Sequence, residues 1–273
     1  MNVQVDGAEL FYTTRGEGPP CLVPSNIGTV PYERQMPAAL SDRLTLVFVD
    51  LRGAGRSTGD PAALTFDRVA DDFEAVRAAL GADRVAVLGH SILGVLAIEY
   101  GRRRPASVSH VITVGTPPHG DMRALAEQST AFFEADAADD RKRRLRENLA
   151  ALPAEASPGE TMLAQTPIRF HDADVDAAPL FEGAVSRPAL FAHLLGTLVP
   201  GWNIGDDGGS LTVPLLLTHG RSDYVVPHRL WDGIPPTLPD ATFQLFEQSG
   251  HQPFVEEPDR FTGTVTAWMD TRR

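Results

Sequence analysis

Cysteine is nearly absent: Cys21 alone stands in 273 residues. No intrachain disulfide can form, which excludes a disulfide scaffold and fits a reducing compartment. The thiol lies in the apolar run Cys21-Leu22-Val23, where it reads as a small buried hydrophobe. The N-terminal Met-Asn-Val-Gln-Val-Asp has no basic start and no apolar stretch, so no secretory signal is expected. The apolar run from Ile92 to Ile98 is far short of the ~20 residues of a bilayer span. A cytoplasmic protein without a membrane span is the expectation. Cations are outnumbered, with 24 Lys+Arg against 36 Asp+Glu and a net charge of −12. No Lys/Arg stripe is interleaved with aromatics, and an acidic surface repels phosphate backbones, so nucleic acid is not an expected partner. The eight histidines form neither an HExxH pattern nor a close pair, so no metal site is expected.

What is present is ordinary for a globular chain, with 42% hydrophobic and 22% charged residues. Val3 to Val5 and Glu9 to Thr13 read as a hairpin turning at Asp6-Gly7. Leu22-Val23, Leu44 to Val49, Val85 to Leu88 and Val108 to Val114 read as buried strands. Val69, Phe73, Val76 and Leu80 fall at helical spacing before the stop at Gly81, and a second helix runs from Ile92 to Arg103. Strands alternating with helices predict an α/β fold, with parallel pairing and both sheet faces covered.

From Pro117 to Gly209 the chain is rich in Ala and charge and has no strand-like run. This predicts a helical insertion at 117–209, closed by the loop Asp206-Asp207-Gly208-Gly209, within a core formed by 1–116 and 210–273. Its Arg141-Lys142-Arg143-Arg144 block reads as a solvated helix face with i,i+4 pairs. The alternating pattern resumes with strands at Val213 to Thr218 and Ala241 to Phe246, a short helix at Val226 to Trp231, and a last helix from Phe254 to Met269.

Three stretches carry chemistry. Gly89-His90-Ser91-Ile92-Leu93-Gly94 lies between a β-branched strand and a helix. A serine there sits on a tight turn at the sheet's carboxyl edge, with its hydroxyl exposed and the Ile92 amide free to meet an oxyanion. Asp223 follows the strand ending at Thr218, in His219-Gly220-Arg221-Ser222-Asp223. His251 follows the next strand, in Ser249-Gly250-His251. Each of the three taken alone has a structural reading, as helix cap, turn aspartate or loop histidine. Together they stand in the order Ser, Asp, His on one sheet edge, where a proton relay can assemble.

With these residues in place, and with Asp50-Leu51-Arg52-Gly53-Ala54-Gly55-Arg56-Ser57 and Glu256-Glu257-Pro258, the chain resembles the α/β-hydrolase family over essentially its whole length. Within it, the SGHQPFVEEPDRF end is most similar to the proline-iminopeptidase and small esterase/lactonase group. The resemblance implies a mostly parallel eight-stranded sheet with helices on both faces and a helical lid inserted after the sixth strand. It also implies nucleophile, acid and base at Ser91, Asp223 and His251, with Asp50, Arg52 and Ser57 bracing the fold. Where relatives carry His-Gly-x after the third strand, this chain has Pro24-Ser25-Asn26-Ile27-Gly28, which puts the second oxyanion amide at Asn26, to within one residue. The elbow also departs from the family: its usual second glycine is Leu93. A leucine there must push the helix from the neighbouring strand or intrude on the site.

These residues predict a serine hydrolase that works through an acyl-enzyme, without metal or organic cofactor, on a small-molecule substrate. The expected substrate is a small or medium hydrophobic ester, thioester or lactone. Phe132, Phe133, Phe170, Phe181, Leu190, Phe191, Leu194, Leu195 and Trp202 are candidates either for a pocket or for lid packing. An aminopeptidase releasing N-terminal proline is the alternative, with Glu134, Asp172, Asp174 or Glu182 to hold the substrate ammonium. Carbon–carbon bond hydrolysis uses the same triad. In a different class stands a non-enzymatic small-molecule binding protein, favoured by Leu93 and the altered loop.

Overall fold

The structure, a computed structural model, describes residues 1–206 and 210–272. β1 (Asn2–Val5) and β2 (Ala8–Arg15) form the expected hairpin, with Val5 facing Ala8 across the turn. β3 (Pro20–Ser25) is followed by α1 (Thr29–Gln35), β4 (Thr45–Asp50), α2 (Phe66–Ala79), β5 (Val85–His90), α3 (Leu93–Arg103) and β6 (Val108–Val114). β7 (Leu215–Gly220) and β8 (Ala241–Phe246) complete one eight-stranded sheet in the order β1-β2-β4-β3-β5-β6-β7-β8. β1 pairs antiparallel with β2 and β2 with β4, and every other pairing is parallel. The mostly parallel α/β sheet is thus as expected.

The local causes are visible. β5 is buried at all six positions, as a central parallel strand covered on both faces must be. α2 starts where Thr65 accepts the Arg68 amide, and it buries Val69, Phe73 and Val76 on one face. Cys21 is buried in β3 as a small hydrophobe, and burial pushes its thiol up to about 12, out of reach of thiolate chemistry.

One element is new and one expectation is corrected. α1 was not predicted: it carries Pro31 and no apolar period, and Pro is tolerated there because it falls in the first turn. The last helix is two helices, α10 (Pro253–Glu256) and α11 (Pro258–Asp270). Pro258 drives the preceding Glu257 out of the helical region, to φ −127° and ψ 58°.

Between β6 and β7 the described residues make a helical excursion: α4 (Met122–Asp136), α5 (Asp139–Ala150), α6 (Pro158–Ala164), α7 (Thr166–Arg169), α8 (Ala178–Phe181) and α9 (Pro188–His193). A bridge between His119 and Asn203 fastens its two ends together. Of the expected closing loop, Asp206 lies in a turn, and 207–209 lie outside the described residues. The basic block is more structural than a solvated face. Arg143 pairs with Glu147 at i,i+4, but Arg141 donates to the carbonyls of Pro167 and Phe170 at 2.8 Å and so caps α7.

The motif from Asp50 to Ser57 braces the fold. Asp50 Oδ2 accepts the Arg56 amide at 2.8 Å, and Ser57 Oγ donates to the Asp50 carbonyl at 2.8 Å. Buried Arg52 grips Asp72 through Nε at 3.2 Å and Nη2 at 2.6 Å, and its Nη1 donates to the Asp6 carbonyl at 2.9 Å. Among the described residues no helix is long and apolar enough to cross a membrane.

Candidate active site

The parallel strands β3, β5, β7 and β8 all end on one sheet edge, and the loops that follow them carry Asn26, Ser91, Asp223 and His251. In an open α/β sheet that edge is where ligands bind.

Ser91 follows directly on β5 with φ at +55°, the only non-glycine residue at positive φ among those described. Such a conformation costs on the order of 1–3 kcal/mol and must be held by its surroundings. Its amide donates to the Val114 carbonyl at 2.7 Å, and its carbonyl accepts from Thr116 Oγ1 at 2.9 Å and the Gly94 amide at 3.0 Å. Gly89 is obligatory, since a Cβ there would stand 2.5 Å from the Leu93 carbonyl oxygen and from Gly94 Cα. Gly94 supplies the close approach of α3 to the loop that follows β6: a Cβ on it would overlap the Thr116 side chain. The helix has therefore not been pushed away. Leu93, 1% exposed, instead forms part of the cavity wall.

Asp223 is fully buried, and both its oxygens are engaged. Oδ1 accepts the amides of Val225 at 2.9 Å and Val226 at 2.8 Å, and Oδ2 lies 2.7 Å from His251 Nδ1. A carboxylate accepts, so the imidazole proton sits on Nδ1 and Nε2 keeps its lone pair. Gly115, at φ +56°, makes room for this pair, since a Cβ on it would stand 2.7 Å from Nδ1.

Ser91 and His251 meet as walls of a cavity of about 540 Å³ that Asn26 and Ile92 also line. No hydrogen bond joins Ser91 to His251 in this structure; such bonds are often long without substrate and tighten when it binds. In the Asn26 loop the next amide, that of Ile27, already donates to Ser25 Oγ at 3.2 Å. The loop's other backbone donors are the amides of Asn26 and Gly28, and of these two residues Asn26 lines the cavity.

Several residues were not assigned a role from the sequence. His90 Nε2 donates to the His251 carbonyl at 3.0 Å, and Tyr32 Oη donates to His90 Nδ1 at 3.0 Å. Burial, with the neighbouring His251 ring second, holds the His90 pKa well below the usual histidine range, so the ring stays neutral. The His251 amide donates to the Arg169 carbonyl at 2.6 Å. Glu256 accepts the amides of Gly250 at 2.7 Å and His171 at 2.6 Å, and burial raises its carboxyl to about 7 despite them. Glu257 Oε2 accepts from the Gln248 amide at 3.0 Å and from Ser249 Oγ at 2.6 Å, so the Glu256-Glu257 pair tethers the histidine loop.

Of the candidate apolar lining, Phe181, Phe191, Leu194 and Leu195 reach the cavity. Phe132 and Phe133 pack with Tyr224 in a separate cluster, and Trp202 donates to Glu99 at 2.8 Å. The four carboxylates considered for an ammonium site stand elsewhere. Asp174 pairs with Arg144 at 2.6 Å and Glu182 with Arg34 at 3.4 Å, and Glu134 and Asp172 are exposed outside the cavity. Among the described residues no cluster of metal-ligating side chains is found.

Residues 21–258 match the alpha/beta hydrolase fold family. The chain is an α/β-hydrolase. It is 31% identical over 275 residues to the AB hydrolase superfamily protein YclE of Bacillus subtilis (strain 168), covering 97% of this hydrolase and 96% of that protein. It is 26% identical over 268 residues to the pimeloyl-(acyl-carrier protein) methyl ester esterase of Cronobacter sakazakii, covering 95% and 96%. Among solved structures, the proline iminopeptidase of Mycobacterium smegmatis superposes on the hydrolase with a TM-score of 0.74 at 22% identity, covering 100% of this chain and 98% of that one. At that identity the likeness speaks for the fold.

Proposed function

We propose that this hydrolase is a serine esterase, and that the helical excursion at 117–209 is the lid over its site. The single observation that carries the reading is Ser91, held at positive φ between β5 and α3 on the wall of a cavity shared with an Asp223-bonded His251. A serine hydroxyl is a weak nucleophile at neutral pH and needs a base. His251 Nε2 takes the Ser91 Oγ proton as Oγ attacks the ester carbonyl carbon. The oxygen of the tetrahedral intermediate takes its charge between the amides of Ile92 and Asn26. Its collapse breaks the bond to the alcohol, which leaves with the proton returned by His251, and the acyl group stays on Ser91. Water, deprotonated by the same nitrogen, releases the acid and restores the serine. Asp223 fixes the tautomer and steadies the transient imidazolium without taking its proton.

An ester, thioester or lactone suits the site better than a peptide with a free N-terminus. The cavity offers apolar side chains on the lid side, and the carboxylates that would hold an ammonium lie outside it. A relative named as a methyl ester esterase supports the same choice.

The test is a panel of p-nitrophenyl esters of rising chain length, lactones and prolyl-naphthylamide, run on wild type and Ser91→Ala beside fluorophosphonate labelling. Labelling and ester turnover that both vanish in Ser91→Ala are expected. Unlabelled protein whose Ser91→Ala variant behaves identically would make it a binding protein on the same fold.

A further inference from the structure

Arg169, the last residue of α7, brings a fixed charge to a cavity that is otherwise neutral. It lines the wall with Ser91 and His251, and no other Lys, Arg, Asp or Glu does so among the described residues. A guanidinium has five N–H donors. Here Nη2 donates to Gln165 Oε1 at 3.1 Å, while Nε is buried without a partner. The carboxylate whose field reaches it is that of Asp223, already saturated by two amides and His251. Arg52, also buried, has a partner for each of its three nitrogens in Asp72 and the Asp6 carbonyl. A desolvated cation with one neutral partner is costly unless a counter-charge arrives.

We propose that Arg169 is the substrate's anion anchor, and that the preferred ester carries a free carboxylate held by this guanidinium while its hydrocarbon lies along Met122, Leu125, Met162, Phe191 and Leu194. A planar carboxylate matches the guanidinium fork. A phosphate dianion would need a second cation, which the described walls do not offer. Gln165, one turn before Arg169, holds the fork in place. The proposal rests on the esterase reading and narrows its substrate class.

The experiment measures kcat/KM for wild type, Arg169→Met and Arg169→Lys on two sets of matched esters. One set is the monomethyl esters of C4 to C8 dicarboxylic acids against methyl alkanoates, with the carboxylate on the acyl side. The other is acetoxyalkanoates against alkyl acetates, with the carboxylate on the alcohol side. In at least one set the wild type is expected to prefer the charged ester by about tenfold or more. Arg169→Met should lose at least tenfold more on the charged member than on the neutral one, with Arg169→Lys between. Thermal unfolding checks that the variants fold. Equal losses on both members, or no charged ester preferred by wild type, would overturn the anchor. Failure of the esterase reading is separate: if no ester is turned over, adipate binding followed by calorimetry on wild type and Arg169→Met decides. Binding that the variant loses keeps the anion site, and absent or unchanged binding removes it.

Discussion

His90 holds the backbone of His251: its Nε2 donates to the His251 carbonyl at 3.0 Å, and Tyr32 Oη fixes the tautomer from the other side at 3.0 Å. The residue before the candidate nucleophile therefore positions the candidate base. His90→Phe removes the donor and is expected to lower kcat by about a hundredfold with little change in KM, as a misplacement near 1 Å can do. His90→Gln, whose amide nitrogen falls near Nε2, should restore part of the loss. Steady-state kinetics on a neutral ester provides the readout, and equal rises in KM for both variants would argue for general damage instead.

Asp223→Asn keeps the shape of the acid but offers the imidazole a different partner. By analogy with other Ser-His-Asp triads, kcat is expected to fall by about 10⁴-fold. Fluorophosphonate labelling of Ser91 should slow in parallel, because both reactions draw on the same base. A fall of less than tenfold would remove Asp223 from the relay.

The structure bears on Leu93 in a definite way. The elbow is formed, with Gly94 rather than residue 93 supplying the close contact of the helix with Thr116. Leu93→Gly is accordingly expected to raise kcat/KM by no more than a few-fold. It should also lose about 3 kcal/mol or more of stability through the deleted buried side chain, visible as a lower denaturation midpoint. A gain of several hundredfold would mean that the native elbow is misformed.

Glu256 links stability to pH. Its carboxyl is raised from 4.5 to about 7, so the native state holds its proton over a range where the unfolded chain has lost it. With fewer protons on the unfolded state, stability falls as pH rises. The Glu256 contribution is complete below pH 4.5 and declines until about pH 7. Glu256→Gln cannot titrate, so the stability of wild type relative to this variant should shrink between pH 5 and pH 8. Urea unfolding at the two pH values measures it, and a difference that grows with pH would contradict the assignment.

The central strands and their loops were legible because burial on both faces leaves unbroken apolar runs. Asp223 follows such a run in β7, while His251 follows the half-buried edge strand β8, whose Ala-Thr-Phe-Gln-Leu-Phe is read from its strand-forming residues instead. α1 was not legible, since Pro31 and the lack of an apolar stripe hide a helix that packing imposes. The division of the inserted segment's apolar residues was also hidden. Phe191 and Phe132 are alike in sequence, yet one lines the cavity and the other packs on Tyr224. Arg169 carries no motif at all. Its significance lies in what fails to pair with it, which only the folded chain determines.

The contact between the His251 amide and the Arg169 carbonyl makes α7 a shared hinge pin rather than a free flap. Around it, the Tyr224 amide donates to the Ile168 carbonyl at 3.1 Å and the His171 ring meets Ser222 Oγ at 2.9 Å. A truncation that trimmed away the whole insertion would also remove the Arg169 carbonyl on which the His251 amide rests, so the histidine loop cannot keep its shape without this one helical turn.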